Sequence, residues 1–381
     1  MKIQKLSVAS SKNASHFKIL HLTSTLSSAG AETMLTSLVS SDSSNIHTVC
    51  SIYSGGPYKK KLEDVGISIH SLGIPSSLLM PFAFFKFFFL VLKEKPDIIH
   101  SYLFLDNIIS RVIGKITGKK VLCSKRDSDR WKPWFVHVFN RLTSWLADAT
   151  VTNFNDGIRE LKRNGVATEK IFYIPNGKNI HDYELNLSKE EAKKRIDFSE
   201  RNLILTFTGR LVWYKGQEYL IKAFPSILMK YPNARLLLVG EGKNRKYFEQ
   251  LANSLNLENK IIFLGNRNDI PQILKATDIF VSPSLRDGMP GAVMEAMVAG
   301  LPIVATDADG SKDLIKDYKN GILIPIKDSN AIAEKVIELI NNKELADKLG
   351  KNARETIAKH FTAEKMVCAY QKLYNTMMEK A

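Results

Sequence analysis

The chain has 381 residues, a length that favours two domains over one at roughly 100–200 residues per domain. Its composition, 44% hydrophobic and 24% charged, excludes a disordered, collagen-like or coiled-coil chain. The net charge is +15 and uneven: residues 1–180 carry 24 Lys and Arg against 13 Asp and Glu, which points to a polyanionic partner.

Short β-rich runs alternate with helical patterns from end to end. In the first half, strands are expected at 17–24, 46–53, 95–102, 121–126 and 149–154, with helices at 31–40, 106–118 and 134–147 between them. In the second half, strands at 203–211, 234–242, 260–265, 278–284, 301–307 and 321–326 alternate with helices, including 216–230 and 244–255. This alternation is the pattern of parallel βαβ units, and runs such as LLLVG suit strands covered on both faces. A last helix is expected over roughly 362–379. The polar stretch 176–200 has linker composition. The expected division is therefore a domain of residues 1–180 and a second of 181–361, followed by the terminal helix.

The most apolar stretch, LLMPFAFFKFFFLVL at 78–92, is shorter than the roughly 20 residues a spanning helix needs and contains Pro81 and Lys86. It fits a helix packed in a core or one that dips a face into a membrane. The apolar run at 17–22 is too short and too charged for the hydrophobic region of a signal peptide. Cys50, Cys123 and Cys368 offer neither a disulfide framework nor zinc spacing, so a reducing compartment is expected. No helix-turn-helix, zinc-finger or aromatic RNA-binding signature accompanies the basic charge. Anionic lipid is thus a better partner than nucleic acid.

Four segments carry candidate chemistry. In FTGRLVWYKGQ (207–217), Gly209 and Arg210 follow a strand and Lys215 precedes a helix. Two cations beside free backbone N–H groups suit a diphosphate, although solvated basic residues would look the same. In SPSLRDGMPGAVMEAMVAG (282–300), Asp287 and Glu295 lie eight residues apart, and Gly288 and Gly291 permit close backbone approach. A helix beginning near Gly291 would favour an anion, and Glu295 one turn inside it would accept hydrogen bonds from sugar hydroxyls. The loop LSSAGAETML (26–35) places Gly30 at a helix start. Asn176-Gly177 reads as a turn.

Taken in order along two α/β domains, these segments resemble the retaining glycosyltransferases of family 4. The resemblance runs through GAETML (30–35), PDIIHSY (96–102), IPNG (174–177), FTGRLVWYKG (207–216), LLLVGEG (236–242), IIFLG (261–265) and PSLRDGMPGAVMEAMVAGLPIVATD (283–307). It implies the GT-B fold: two facing Rossmann-like, doubly wound domains with a cleft between them, the last helix, 362–381, returning to the first domain. It also implies transfer of a sugar, with retention, from a nucleotide-diphosphate sugar, UDP-sugar being favoured. Arg210, Lys215 and Asp287 would be the catalytic group. Glu295 would bind the ribose, and Gly30, Gly209, Gly288, Met289, Gly291 and Ala292 would serve the donor. Leu264 and Arg267 would lie near the base. His100, Tyr102 and Arg126 are candidates on the acceptor or sugar side. No cofactor or metal is expected, because fixed cations would carry the charge of the leaving diphosphate.

The match has departures. The first acidic position is Asp287 rather than Glu, Ala29 stands where a first glycine is usual, Pro290 has no N–H, and Tyr102 stands where a second histidine is frequent. The implied acceptor is a lipid-linked glycan in bacterial surface-polysaccharide assembly. Arg126, Arg130, Lys132 and Arg141 are candidates for its phosphates. The implied location is cytoplasmic, on the inner face of the membrane. The alternatives are a non-catalytic nucleotide-sugar-binding or scaffold module, or a GT-B epimerase or inverting transferase.

Overall fold

The computed structural model describes residues 16–27, 30–76, 79–128 and 131–379. Ser28, Ala29, Leu78 and Arg130, named above, lie outside the described residues. The chain forms two compact units: unit 1 is Met1–Gly177 with Ala363–Ala381, and unit 2 is Lys178–Thr362.

Unit 1 is built on seven parallel strands: β1 Lys18–Thr23, β2 Ile46–Ser51, β3 Ser68–Ser71, β4 Ile98–Ser101, β5 Lys120–Lys125, β6 Ala149–Thr152 and β7 Ile171–Tyr173. Their order is β3-β2-β1-β4-β5-β6-β7. The helices between them are α1 Gly30–Ser41, α2 Pro57–Asp64, α3 Met80–Glu94, α4 Phe104–Thr117, α5 Trp134–Thr143 and α6 Asn155–Arg163. Every residue of β4 and β6 is buried, as expected for a sheet covered on both faces. The register sets His21 of β1 beside His100 of β4. The edge strands β3 and β7 are the two that the sequence pattern misses. They are four and three residues long, and β3, Ser68–Ser71, is polar at both ends with no fully buried residue.

Helix α3 resolves the apolar stretch into two faces. Ala83, Phe87 and Val91 are buried against the sheet, while Phe82, Phe85, Phe89 and Leu92 are exposed. No helix among the described residues is long and apolar enough to cross a membrane.

Unit 2 carries α7 Lys189–Arg195, β8 Leu203–Thr208, α8 Gln217–Lys230, β9 Ala234–Val239, α9 Arg245–Ser254, β10 Ile261–Gly265, α10 Ile270–Ala276, β11 Ile279–Ser282, α11 Gly291–Val298, β12 Ile303–Thr306, α12 Ser311–Leu314, β13 Ile322–Ile324, α13 Ser329–Asn341 and α14 Lys343–His360. Its strands are parallel in the order β10-β9-β8-β11-β12-β13. The final helix, α15 Ala363–Glu379, belongs to unit 1, where Met366, Tyr370, Leu373 and Tyr374 enter the core with Ile19, Ile98 and Leu122.

The linker reading of 176–200 is corrected. Most of this stretch belongs to unit 2, and Lys189–Arg195 within it form α7, opened by a capping box: Ser188 Oγ accepts from Glu191 N (3.1 Å) and the Glu191 carboxylate accepts from Ser188 N (2.6 Å). Ala192 and Ile196 pack into a small core with Ile204, Leu237 and Ile273. Lys189 and Lys193 pair with Asp278 at 2.6 and 2.9 Å. So few apolar residues among so many charges hide the helix from composition.

In both sheets the strand order reverses beside the first strand, between β1 and β4 and between β8 and β11. Such reversal points open a crevice beyond the carboxyl ends of the strands, where ligands bind.

Candidate active site

In unit 2 the reversal point carries most of the residues singled out above. The loop after β8 contains Gly209, Arg210 and Lys215, and the loop after β11 contains Asp287, Gly288 and Met289. Two features join these loops. Leu285 N donates to Tyr214 O (2.9 Å). Gly216, at φ +72°, lies so close that a Cβ there would sit 2.0 Å from Pro283 O, so only glycine fits both the backbone and the space. This contact brings Lys215 Nζ to 2.5 Å from Asp287 Oδ2, with both side chains partly exposed.

Arg210 lies on the same loop but is exposed; its Nη2 donates to Tyr214 OH at 2.6 Å. Arg286, which the sequence reading missed, stacks over the Tyr214 and Trp213 rings at 4.5 and 5.3 Å from the centroids. Three cations, Arg210, Lys215 and Arg286, thus lie on these two joined loops with the acid Asp287, which Lys215 pairs. That surplus of positive charge suits a polyanionic group.

The loop after β11 is pinned from behind. Gly310 N donates to Asp287 O (3.1 Å), and a Cβ on Gly310 would fall 1.1 Å from Gly288 O. Met289 is buried in the adjoining core. Helix α11 then starts at Gly291, and its first N–H groups, with that of Ala292, have no partner within the helix. Glu295 lies one turn in. Its Oε1 accepts from Lys178 Nζ at 2.6 Å, and Lys178 Nζ is also 3.9 Å from where a Cβ on Gly291 would be. Lys178 was not anticipated, because it is 117 residues from Glu295 and nothing local marks it.

Leu264 and Arg267 lie at the end of β10, two strands from β8. Leu264 packs partly into the small core under α7, and Arg267 pairs with Asp269 at 2.6 and 2.8 Å.

The candidates of unit 1 divide. Gly30 is the exposed first residue of α1, and no described atom lies within 4 Å of where its Cβ would be. His100 and Tyr102 are enclosed, at 0% and 1% exposure. They belong to a buried polar chain. His47 Nε2 meets Asp42 Oδ2 at 3.1 Å, His21 Nε2 meets His47 Nδ1 at 2.8 Å, and Tyr102 OH meets His21 Nδ1 at 2.7 Å. His100 Nδ1 meets Tyr102 OH at 3.1 Å and Tyr374 OH at 2.9 Å, and its Nε2 meets Ser124 Oγ at 2.9 Å.

Burial holds His21 and His100 well below the usual imidazole range, so both are neutral. Asp42 is also partly desolvated, but hydrogen bonds from His47, Asn45 and Gln371 outweigh this and bring it to about 2. The ionised Asp42 carboxylate accepts from His47 at one end of this chain. Arg126, 9% exposed, lies beside this chain: it donates to Ser124 Oγ (3.2 Å), Asn176 Oδ1 (3.1 Å) and Tyr370 OH.

Asp106, at the start of α4, accepts from Ser24 Oγ (2.5 Å) and Ser24 N (3.0 Å). Burial raises its carboxyl to about 7 in spite of those bonds.

Comparison with known proteins follows the same division. The family Glycosyl transferases group 1 matches residues 188–356, and Glycosyltransferase Family 4 matches 28–181. The chain is 29% identical over 364 residues to the Escherichia coli UDP-Gal:alpha-D-GlcNAc-diphosphoundecaprenol alpha-1,3-galactosyltransferase, covering 90% of this chain and 91% of that protein. It is 30% identical over 302 residues to the putative glycosyltransferase EpsD of Bacillus subtilis, covering 74% and 77%. Among solved structures, Anabaena Alr3699/HepE in complex with UDP-glucose superposes with a TM-score of 0.83 at 22% identity, covering 96% of this chain and all of that one. With these matches over both Rossmann-like units, the chain belongs to the family 4 glycosyltransferases of GT-B fold.

Proposed function

We propose that this glycosyltransferase moves a hexosyl-type sugar, with retained configuration and without a metal, from a UDP-sugar to a hydroxyl of a lipid-linked glycan. The process would be assembly of a cell-surface polysaccharide. The observation that carries this is the cluster at the β8–β11 reversal, where Lys215 pairs with Asp287, and Arg210 and Arg286 both contact Tyr214, on the two loops that lead to the N-terminus of α11. Breaking the anomeric bond leaves negative charge on the diphosphate. Cations already fixed at that point lower the barrier, because they need no reorganisation as the charge develops.

In this reading the diphosphate takes Lys215 from Asp287, which frees the Asp287 carboxylate toward the donor sugar. Glu295 holds the ribose hydroxyls with the oxygen that Lys178 leaves open, and Leu264 and Arg267 border the base. Two of the proteins compared lend support. One is named for an alpha linkage formed from UDP-Gal on a diphosphoundecaprenol-linked sugar, and the other was crystallised with UDP-glucose.

A membrane surface is the proposed meeting place with the acceptor. Besides the exposed phenylalanines of α3, the region of α5 exposes Trp131, Trp134, Phe135, Val138, Phe139, Leu142 and Trp145, with Trp134 at 76%. Three of the four tryptophans of the chain are in that segment. Indole rings flanked by basic residues suit the headgroup layer of an anionic bilayer.

The test is transfer of labelled sugar from UDP-sugars to extracted membrane lipids, with the anomeric configuration of the product read by NMR. An alpha product whose formation collapses in Arg210→Ala and Lys215→Ala supports the reading. A beta product, or transfer indifferent to both substitutions, overturns it.

A further inference from the structure

Unit 1 encloses two arginines that have no carboxylate partner among the described residues. Arg111, on α4, is 2% exposed, and its Nη1 donates to Asn140 Oδ1 (3.1 Å) and Thr143 Oγ1 (3.2 Å), both on α5. Arg126, after β5, has the neutral partners Ser124, Asn176 and Tyr370, with Met34 Sδ at 3.7 Å. In both residues Nε has no partner, and the same is true of Thr150 Oγ1.

These three residues line one small cavity beyond the ends of β4 and β5. Lys125, Lys132 and Asp127 line it too, but Lys125 is paired with Glu160 (2.8 Å) and Lys132 with Asp127 (3.0 Å). Two of the four cations are therefore balanced and two are not. A buried charge without a counter-charge is costly, and a fold that keeps two on one cavity wall is completed by an anion. Guanidinium groups with free N–H bonds are the donors that suit phosphate oxygens.

The surroundings narrow the class of anion. The helix that supplies Asn140 and Thr143 to Arg111 is α5, whose opposite side is the exposed aromatic face described above. A phosphate held under a helix with an apolar outer surface suits an amphiphile: charged head inside, hydrocarbon beyond. We propose that Arg111 and Arg126 form an anion subsite in unit 1 that holds a phosphate of the acceptor, as a diphosphate ester of a lipid. The assignment to the acceptor rests on the function proposed above. The anion site itself rests on the two arginines alone.

The test uses the full chain carrying Arg210→Ala and Lys215→Ala, so that the donor cations do not contribute. Its thermal unfolding is followed with inorganic pyrophosphate and with a short-chain prenyl diphosphate. Both should stabilise it, the prenyl compound binding at least ten-fold more tightly. Adding Arg111→Met should abolish both responses while leaving the anion-free protein as stable as before or more so, because an unpaired buried charge is removed. Arg111→Lys should keep part of the response, and Arg126→Gln should repeat the loss if the methionine variant does not fold. No response to pyrophosphate, or the same response in Arg111→Met and Arg126→Gln, overturns the subsite. Equal affinity for the two compounds overturns the acceptor assignment. Failure of the donor reading shows elsewhere, as UDP binding that Arg210→Ala and Lys215→Ala do not weaken.

Discussion

The two units share a parallel sheet that reverses beside its first strand, yet they place their polar groups in opposite ways. Unit 2 sets charged side chains on loops beyond the strand ends, paired in partly exposed contacts such as Lys215–Asp287 and Lys178–Glu295. Unit 1 draws its polar groups inward, so that Asp42, His47, His21, Tyr102 and His100 form one buried chain across β1, β2 and β4 to α15. Pairs near solvent exchange partners at little cost, which suits the nucleotide uptake and release proposed for this site. A buried chain is costly to disturb and therefore suits a rigid frame. One scaffold serves both because the sheet fixes only where the loops emerge, not what they carry.

The sharpest way to break this comparison is pH. Asp106 in unit 1 has its carboxyl raised to about 7, so the folded state keeps a proton that the unfolded chain has lost by pH 7. Stability should fall as pH rises from about 4 to about 7, by on the order of 4 kcal/mol from this residue. Asp106→Asn should remove that slope in urea titrations; unchanged slopes would refute the account of this group. Asp42, at about 2, acts in the opposite sense, and its contribution should be lost only as pH falls from about 4 to about 2.

Lys215→Ala probes unit 2. Loss of one cation of the proposed leaving-group site should lower kcat by roughly 10²–10³-fold, about 3–4 kcal/mol. The melting temperature should stay within a few degrees. Comparable activity would show that the Lys215–Asp287 pair is only structural.

Gly310→Ala asks how firmly the Asp287 loop is pinned. The new Cβ would collide with Gly288 O, and denaturant unfolding should show a loss of about 2 kcal/mol. A neutral result would mean that the loop yields freely. The smallest effect is expected from Tyr374→Phe, which takes one of two hydroxyl partners from His100 Nδ1. It should cost about 1 kcal/mol in the same assay, and a null result would detach α15 from the buried chain.

Much of the fold could be read from the sequence because both sheets are covered on two faces, so that their inner strands become continuous apolar runs. Where that physics lapses, the reading lapses too. β3 and β7 are short edge strands, and α7 buries a single apolar residue, Ala192, with Ile196 just beyond its end. At the candidate site, the residues that sequence isolates lie close together along the chain, as do Asp287, Gly288, Gly291 and Glu295. Lys178 reaches Glu295 only through the fold, and Arg286 becomes notable only through its stacking on Tyr214. The histidine chain was illegible for the same reason. His21 and His47 come from different strands, and only the pairing of β1 with β2 and β4 assembles them with His100.

Calorimetric titration of UDP into the full chain, set against the Lys215→Ala and Glu295→Ala variants, tests the central claim most directly. The account predicts saturable binding that weakens at least ten-fold in each variant, from lost contact with the diphosphate in one and with the ribose in the other. Equal affinity in all three proteins would place the nucleotide elsewhere and contradict it.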